Sequence, residues 1–427
     1  MNPRPPDANA ESPYAWCRLM VSLALMTLGG VGMYSVTVVL PRIQADFDVA
    51  RGDASLPYTL TMVGFGLGGV LMGKLADRFG VMVPVLGGSV GLGLGLIAAG
   101  ASGSLWQFSL AQGLLMGLLG TSATFAPLVA DTSRWFTRRR GTALAICMSG
   151  NYLAGAVWPP VIQHFVESHG WRQTYMGIGA FCLVVMLPLA LVLRRRPPEL
   201  PALPAPVAAA SQPGLSVNTE RPLGLSPGTL QALLCVAGVS CCVAMSMPQV
   251  HIVAYCTDLG FGAARGAEML SVMLGMGIAS RLISGWISDR IGGLRTLLLG
   301  SVLQGVALLM FLPFDGLVPL YLISGLFGLF QGGIVPSYAL IVREHFSPAQ
   351  AGARTGTVLM ATLFGMALGG WMSGVIFDLT GSYQAAFING IGFNLLNLAI
   401  VVFLLRRAPR RGQGTGTGAV NTVSTPV

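Results

Sequence analysis

Residues 73–80 read GKLADRFG, and residues 285–292 read GWISDRIG. Both fit G-x-x-x-D-R-x-G, and they stand 212 residues apart in a chain of 427. Each closes an apolar run long enough to cross a bilayer as a helix. Glycine lets neighbouring helices approach closely. An aspartate at the membrane edge accepts hydrogen bonds from a nearby helix end or arginine, while the arginine beside it stays in the headgroup zone. Two more markers keep nearly the same spacing. Arg134-Trp135-Phe136 aligns with Glu344-His345-Phe346, and Gly170-Trp171 aligns with Gly381-Ser382. A chain that repeats at half its length is built from two equivalent units. Parallel six-helix repeats with a site between them are a transporter architecture.

The rest of the sequence extends this pattern. Hydrophobic residues make up 53% and charged residues only 10%, against about 25% charged in soluble domains. That balance excludes a soluble enzyme. Twelve apolar segments follow one another, near 17–40, 54–76, 81–101, 105–130, 142–165, 173–193, 228–256, 267–289, 294–313, 316–342, 353–376 and 384–405. A helix satisfies its own backbone in lipid, so each segment is expected to span as one. The fold class is an all-α polytopic membrane protein with twelve transmembrane helices in two pseudo-symmetric six-helix bundles. Residues 1–16 form an N-terminal tail, 17–193 the first bundle, 194–227 a charged and proline-rich linker, 228–405 the second bundle, and 406–427 a low-complexity tail expected to be disordered.

The net charge of +9 is explained by topology. With the N-terminus inside, twenty Lys and Arg fall on the cytoplasmic side and four, Arg42, Arg51, Arg172 and Arg265, on the other. The positive-inside rule then places both termini in the cytoplasm, with the cell membrane as location. No nucleic-acid partner is implied. The seven cysteines lie mostly within apolar runs and form no CxxC pair, so they read as buried small hydrophobes. No phosphate-binding loop, metal-ligand cluster or nucleophile–base pair is visible, and no cofactor or metal is expected.

Arg281 stands apart from the topological charges. It lies eight residues before Asp289, about 12 Å from that helix end. A charge at such depth costs about 2.5–3.5 kcal/mol on insertion scales. No acidic partner is evident in the sequence, so an anionic ligand is its natural counter-ion. A guanidinium forks onto a carboxylate through two parallel hydrogen bonds. The alternative is a structural arginine bonded to backbone carbonyls, or one snorkelling to the interface. His251, just after Pro248, is the histidine placed within a span and titrates near neutral pH. A proton-coupling role and a polar packing role are both open for it. Tyr34, Asn151, Tyr255, Gln331 and Tyr338 put polar tips on apolar helices and complete a candidate substrate pocket with Arg281 and His251.

The doubled motif (Gly73, Asp77, Arg78, Gly80 and Gly285, Asp289, Arg290, Gly292) resembles the loop signature of the major facilitator superfamily, where it latches a cytoplasmic gate. Val81-Met82 replaces the usual basic pair after the first copy. The stretch WFTRRRGTALAICMSGNYLAGAVWPP at 135–160 resembles the monocarboxylate-transporter and oxalate–formate-antiporter branch. Its Pro159-Pro160 pair is expected to bend helix 5. By this resemblance Arg281 matches the helix-8 arginine that binds substrate carboxylate, and His251 matches a helix-7 histidine near the site. Animal members carry an aspartate where this chain has Gly277, and a helix-1 lysine where it has Tyr34. The second cation that the oxalate exchanger holds in helix 11 is also missing, which favours a monoanion.

These features predict a secondary transporter of a small organic monoanion such as lactate or pyruvate. Proton symport by alternating access is the favoured mechanism, with a monomer as the transport unit. Two competitors stay open: a proton-driven drug or metabolite exporter or an organic-anion exchanger, and a transporter-like receptor without flux. An exporter of cations normally needs a carboxylate in the membrane, and the spans supply none. A receptor needs a signalling domain, and the tails are short.

Overall fold

The structure is a computed structural model and describes residues 11–136, 139–195 and 222–408. Most of the two tails and of the 194–227 linker lies outside these residues. Every regular element among the described residues is a helix. Twelve long helical segments among them match the twelve apolar runs. The first half holds α1 (Pro13–Asp46), α2 (Arg51–Phe79), α3 (Met82–Gly100), α4 (Leu105–Trp135), α5 (Arg140–His169) and α6 (Trp171–Arg194). The second holds α7 (Pro227–Asp258), α8 (Ala263–Ile291), α9 (Gly293–Met310), α10 (Leu317–His345), α11 (Pro348–Thr380) and α12 (Tyr383–Arg407).

Eleven of these are long and apolar enough to cross a membrane on their own composition. The exception is α5, whose apolar run is interrupted by Asn151, Tyr152 and Trp158-Pro159-Pro160. It packs against α1 and α8, so much of its polar surface faces protein. The expected bend at Pro159-Pro160 is not a break, because both prolines lie inside one continuous helix. Pro248 likewise sits within the 32-residue α7. Neighbouring helices hold such segments together where a proline removes a backbone bond.

The last glycine of each motif ends its helix. Gly80 closes α2 at φ +87° and Gly292 closes α8 at φ +84°. With ψ near 160°, this backbone region belongs almost only to glycine. The next helix then starts within two residues, which produces the tight α2–α3 and α8–α9 reversals.

The halves meet chiefly along two helix pairs, α2 with α11 and α5 with α8. The repeat carries α2 onto α8 and α5 onto α11, so these are one contact seen twice. Both pairs are tight at one end and apart at the other. A Cβ on Gly374 would lie 2.8 Å from the carbonyl oxygen of Arg51, and one on Gly370 would lie 2.9 Å from Tyr58. Toward the G-x-x-x-D-R-x-G loops the helices leave open space. A Cβ added at Gly69, Gly73, Gly141, Gly285, Gly352 or Gly356 would meet nothing within 4 Å. The halves therefore close at the Arg51 end and separate toward the motif end.

Candidate functional site

Between the halves lies a cavity of about 370 Å³. Its first wall is where α1, α5 and α8 meet, and it carries Tyr34, Asn151, Tyr152 and Arg281. The close approach of these helices depends on glycine. Gly155 leaves room for the Tyr34 ring, whose Cζ would be 2.8 Å from an added Cβ. Gly277 leaves room for Tyr152, whose Cε1 would be 2.4 Å away. The Arg281 guanidinium carbon lies 4.5 Å from the centre of the Tyr152 ring, within cation–π range. Its Nη1 donates to the Met148 carbonyl at 3.3 Å, a long bond. Its Nε is buried without a hydrogen-bond partner. No carboxylate lies within ion-pair distance of Arg281 among the described residues. The guanidinium is thus held by an aromatic face and a weak backbone contact, with donor capacity to spare.

The other wall is formed by α2 and α11. Phe65, Gly66 and Val70 come from α2, and Leu359, Met360 and Leu363 from α11. Thr362 adds a hydroxyl, but it donates to the Leu359 carbonyl of its own helix at 2.7 Å. Met33, Met148, Met245 and Met366 widen the apolar lining. Gln249 of α7 also reaches the cavity, and its Nε2 donates to Gln331 Oε1 at 3.0 Å.

Of the seven expected pocket residues, Arg281, Tyr34 and Asn151 line this cavity. The other four do not. Gln331 is fully buried behind Gln249. Tyr338 is fully buried in the second half, where its hydroxyl donates to Asn397 at 2.9 Å. Tyr255 packs edge-on against Tyr383 and Phe387. His251 is fully buried toward the Arg51 end. Each of these four is on a helix face turned into its own half or into the closed end, a rotation the apolar runs did not reveal. Tyr152 and Gln249 were missed, although Tyr152 directly follows Asn151 and extends the polar break in the middle of α5.

His251 belongs to a latch that closes the Arg51 end. Its ring sits at 2.8 Å from the Gly370 carbonyl through Nε2 and at 3.1 Å from the Tyr383 hydroxyl through Nδ1. A carbonyl can only accept, so Nε2 carries a hydrogen. In the neutral ring Nδ1 then accepts from Tyr383. The Tyr383 oxygen in turn accepts from Arg51 Nη1 at 3.0 Å. Arg51 also pairs with Asp258, donates to Gln44 at 2.9 Å and stacks 4.2 Å from the Phe377 ring centre. The Asp378 carboxylate accepts from the backbone N–H groups of Arg51 and Gly52, at 2.8 and 2.6 Å. It caps the start of α2 from the opposite half, where the helix dipole favours an anion.

Two expectations about charge are corrected here. Charge counting puts Arg51 among the outward-facing loop residues, yet it is only 7% exposed and ties the halves together. It puts Arg18 with the N-terminal tail, yet Arg18 is 2% exposed within α1. Arg18 donates to both oxygens of Asp131 on α4, at 2.7 and 3.0 Å. Arg281, itself half-buried, is therefore not the one arginine drawn in from the surface. It differs from Arg18 and Arg51 in lacking an acidic partner. Placing the charges at span ends by side of the membrane would have brought Arg51, Asp258 and Asp378 to one end.

The motif residues lie at the separated end. Asp77 accepts from Arg134 at 3.1 Å, an exposed pair. At the equivalent place in the repeat, Glu344 stands where Arg134 does. Its carboxylate accepts from the Gly293 backbone N–H, capping α9. Arg290 stacks 3.5 Å from the Trp286 ring centre, and Arg78 lies 5.1 Å from that of Phe79. The two copies thus share the motif but make different contacts.

The sequence pattern of the Major Facilitator Superfamily matches residues 21–326 and 234–426. Monocarboxylate transporter 13 of Rattus norvegicus is 28% identical over 361 residues, covering 82% of this chain and 78% of that protein. Monocarboxylate transporter 11 of Homo sapiens is 27% identical over 429 residues, covering 96% and 86%. Among solved structures, a bacterial homologue of the human lysosomal transporter Spinster superposes with a TM-score of 0.65 at 16% identity, over 93% of this chain and 96% of that one. The nucleoside transporter NupG does so at 0.67 and 14% identity, over 91% and 99%. At that identity the likeness is one of fold. This chain belongs to the Major Facilitator Superfamily, as a multi-pass membrane transporter and not an enzyme, and its relatives include proteins named monocarboxylate transporters.

Proposed function

We propose that the protein is a secondary active transporter of a small organic monoanion, a monocarboxylate, bound by Arg281 in the cavity between the halves. One observation carries this reading. Arg281 is half-buried on the cavity wall, it has no carboxylate partner among the described residues, and its Nε is buried without a hydrogen-bond partner. The nature of the ligand follows from charge: a monoanion neutralises the guanidinium and lets the loaded carrier close. The names of the two monocarboxylate-transporter relatives agree with it. A cation exporter is disfavoured, because no acidic residue lines the cavity among the described residues.

The charge distribution supports an orientation with both termini in the cytoplasm of the cell. The separated motif end then faces inward and the latch at Arg51 faces outward. Residues 17–193 and 228–405 would rock as two bundles, with 194–227 as the tether and the doubled motif as the inner gate. Proton symport is the favoured coupling. His251 is the candidate proton carrier, acting at the outer latch and not in contact with substrate.

Uptake assays in cells or proteoliposomes test the reading. Arg281→Ala and Arg281→Lys should abolish monocarboxylate uptake while the protein still reaches the membrane folded. Uptake that survives Arg281→Ala would refute it.

A further inference from the structure

The cavity is polar at one wall only, and this narrows what it can hold. Tyr34, Asn151, Tyr152 and Arg281 gather where α1, α5 and α8 meet. The α2–α11 wall offers Phe65, Val70, Leu359, Met360 and Leu363, and the hydroxyl of Thr362 is taken by its own helix. Gln249, on α7, gives one amide N–H to Gln331 and lies off this wall. The α2–α11 wall itself thus has no free donor for a second carboxylate and none for a hydroxyl that lies against it. The cavity, at about 370 Å³, also falls within the roughly 300–1,000 Å³ of sites that hold drug-sized ligands. A three-carbon acid on Arg281 would leave the apolar wall uncovered.

We propose that the preferred substrate is an amphipathic monocarboxylate: a carboxylate on Arg281 joined to a branched, medium-chain or aromatic apolar body that lies against the α2–α11 wall. This rests on the carboxylate reading above and refines it. Apolar surface moved from water onto that wall is the source of selectivity. Each added methylene that finds room tightens binding about fourfold. A hydroxyl or second charge on the tail loses its water without a partner and weakens binding. Methionine walls adapt to tails of differing shape, so the preference is for apolar bulk and not for one outline.

The test uses the full-length protein purified in detergent, with binding read by competition or thermal stabilisation. The probes are acetate, lactate, butyrate, hexanoate, phenylacetate, succinate and hexanol. Hexanoate and phenylacetate should bind at least tenfold more tightly than acetate or lactate. Succinate should be weak. Arg281→Gln should remove hexanoate binding. Gly69 faces the cavity with nothing within 4 Å, so Gly69→Leu projects into open space. It should lower the hexanoate-to-acetate ratio about tenfold, whatever it does to acetate. If lactate or acetate binds as well as hexanoate in the wild type, the amphipathic preference is wrong while the carboxylate reading stands. If hexanol matches hexanoate, or Arg281→Gln changes neither, the carboxylate reading itself fails.

Discussion

Arg51 of α2 and Asp258 of α7 are joined across the two halves by a two-point ion pair, 207 residues apart in sequence. The same arginine reaches Tyr383, and through it His251. One side chain thus links the closed end to a titratable ring.

Breaking this latch should shift the carrier toward opening at that end. Asp258→Asn leaves Arg51 with Tyr383 and Gln44 but without its counter-charge. The expected shift is about 1–2 kcal/mol, roughly five- to thirtyfold in the open fraction. Ser55 is a suitable reporter, being fully buried in the first turns of α2 against Gly374 of α11. With native cysteines replaced, Ser55→Cys should react with an impermeant maleimide faster by that factor when Asp258→Asn is added. An unchanged rate would mean that the pair does not hold the gate.

His251 should confer pH dependence through the same latch. Protonation adds a hydrogen at Nδ1, which faces the Tyr383 hydroxyl. It also places a second cation near Arg51, with Asp258 and Asp378 as the acids at that end and Tyr255 packed on Tyr383. The neutral ring accepts from Tyr383, and the charged ring cannot. Acid therefore loosens the latch and favours opening there. Uptake by the wild type should rise as outside pH falls. His251→Gln should flatten that profile. A profile that persists in this variant would remove His251 as the proton carrier.

The Arg18–Asp131 pair should prove structural. Both side chains are almost fully buried and doubly hydrogen-bonded. Removing one partner strands the other, at a cost of about 3–5 kcal/mol. Arg18→Met and Asp131→Leu should each lower thermal stability in detergent sharply. The double variant should recover most of the loss, since neither charge is then left alone. Equal losses that simply add would argue against a direct pairing energy.

Gly277 stands where the resemblance to the monocarboxylate-transporter branch implies an aspartate. Position 277 is one turn before Arg281 on the same face of α8, so an acid there would pair with the guanidinium. Tyr152 fills the space instead. Gly277→Asp should displace that ring and satisfy Arg281 from within. Stabilisation by added monocarboxylate should fall at least tenfold. If it does not, Arg281 is not limited by its lack of an internal partner.

Much of this architecture is written in one dimension. Apolar run length marks the twelve spans, the doubled motif marks the repeat, and the eight-residue distance to Asp289 sets the depth of Arg281. Each depends on local composition and on the fixed rise of a helix. Which way a polar tip faces is a different quantity. Helices buried on several sides carry apolar residues nearly all round, so their sequence gives little sign of rotation. That is why Tyr338 and Gln331 turned out to be packed within the second half, while Tyr152 and Gln249 reached the cavity. Pairings such as Arg18 with Asp131, or Arg51 with Asp258 and Tyr383, join helices far apart in the chain. No periodicity encodes them, because they exist only once the two halves have packed and brought opposite charges into a shared low-dielectric space. The sequence alone determined the fold, the repeat and the arginine to suspect. Tertiary packing decided which other arginines are neutralised, and so left the half-buried Arg281 on the cavity wall without an acidic partner among the described residues.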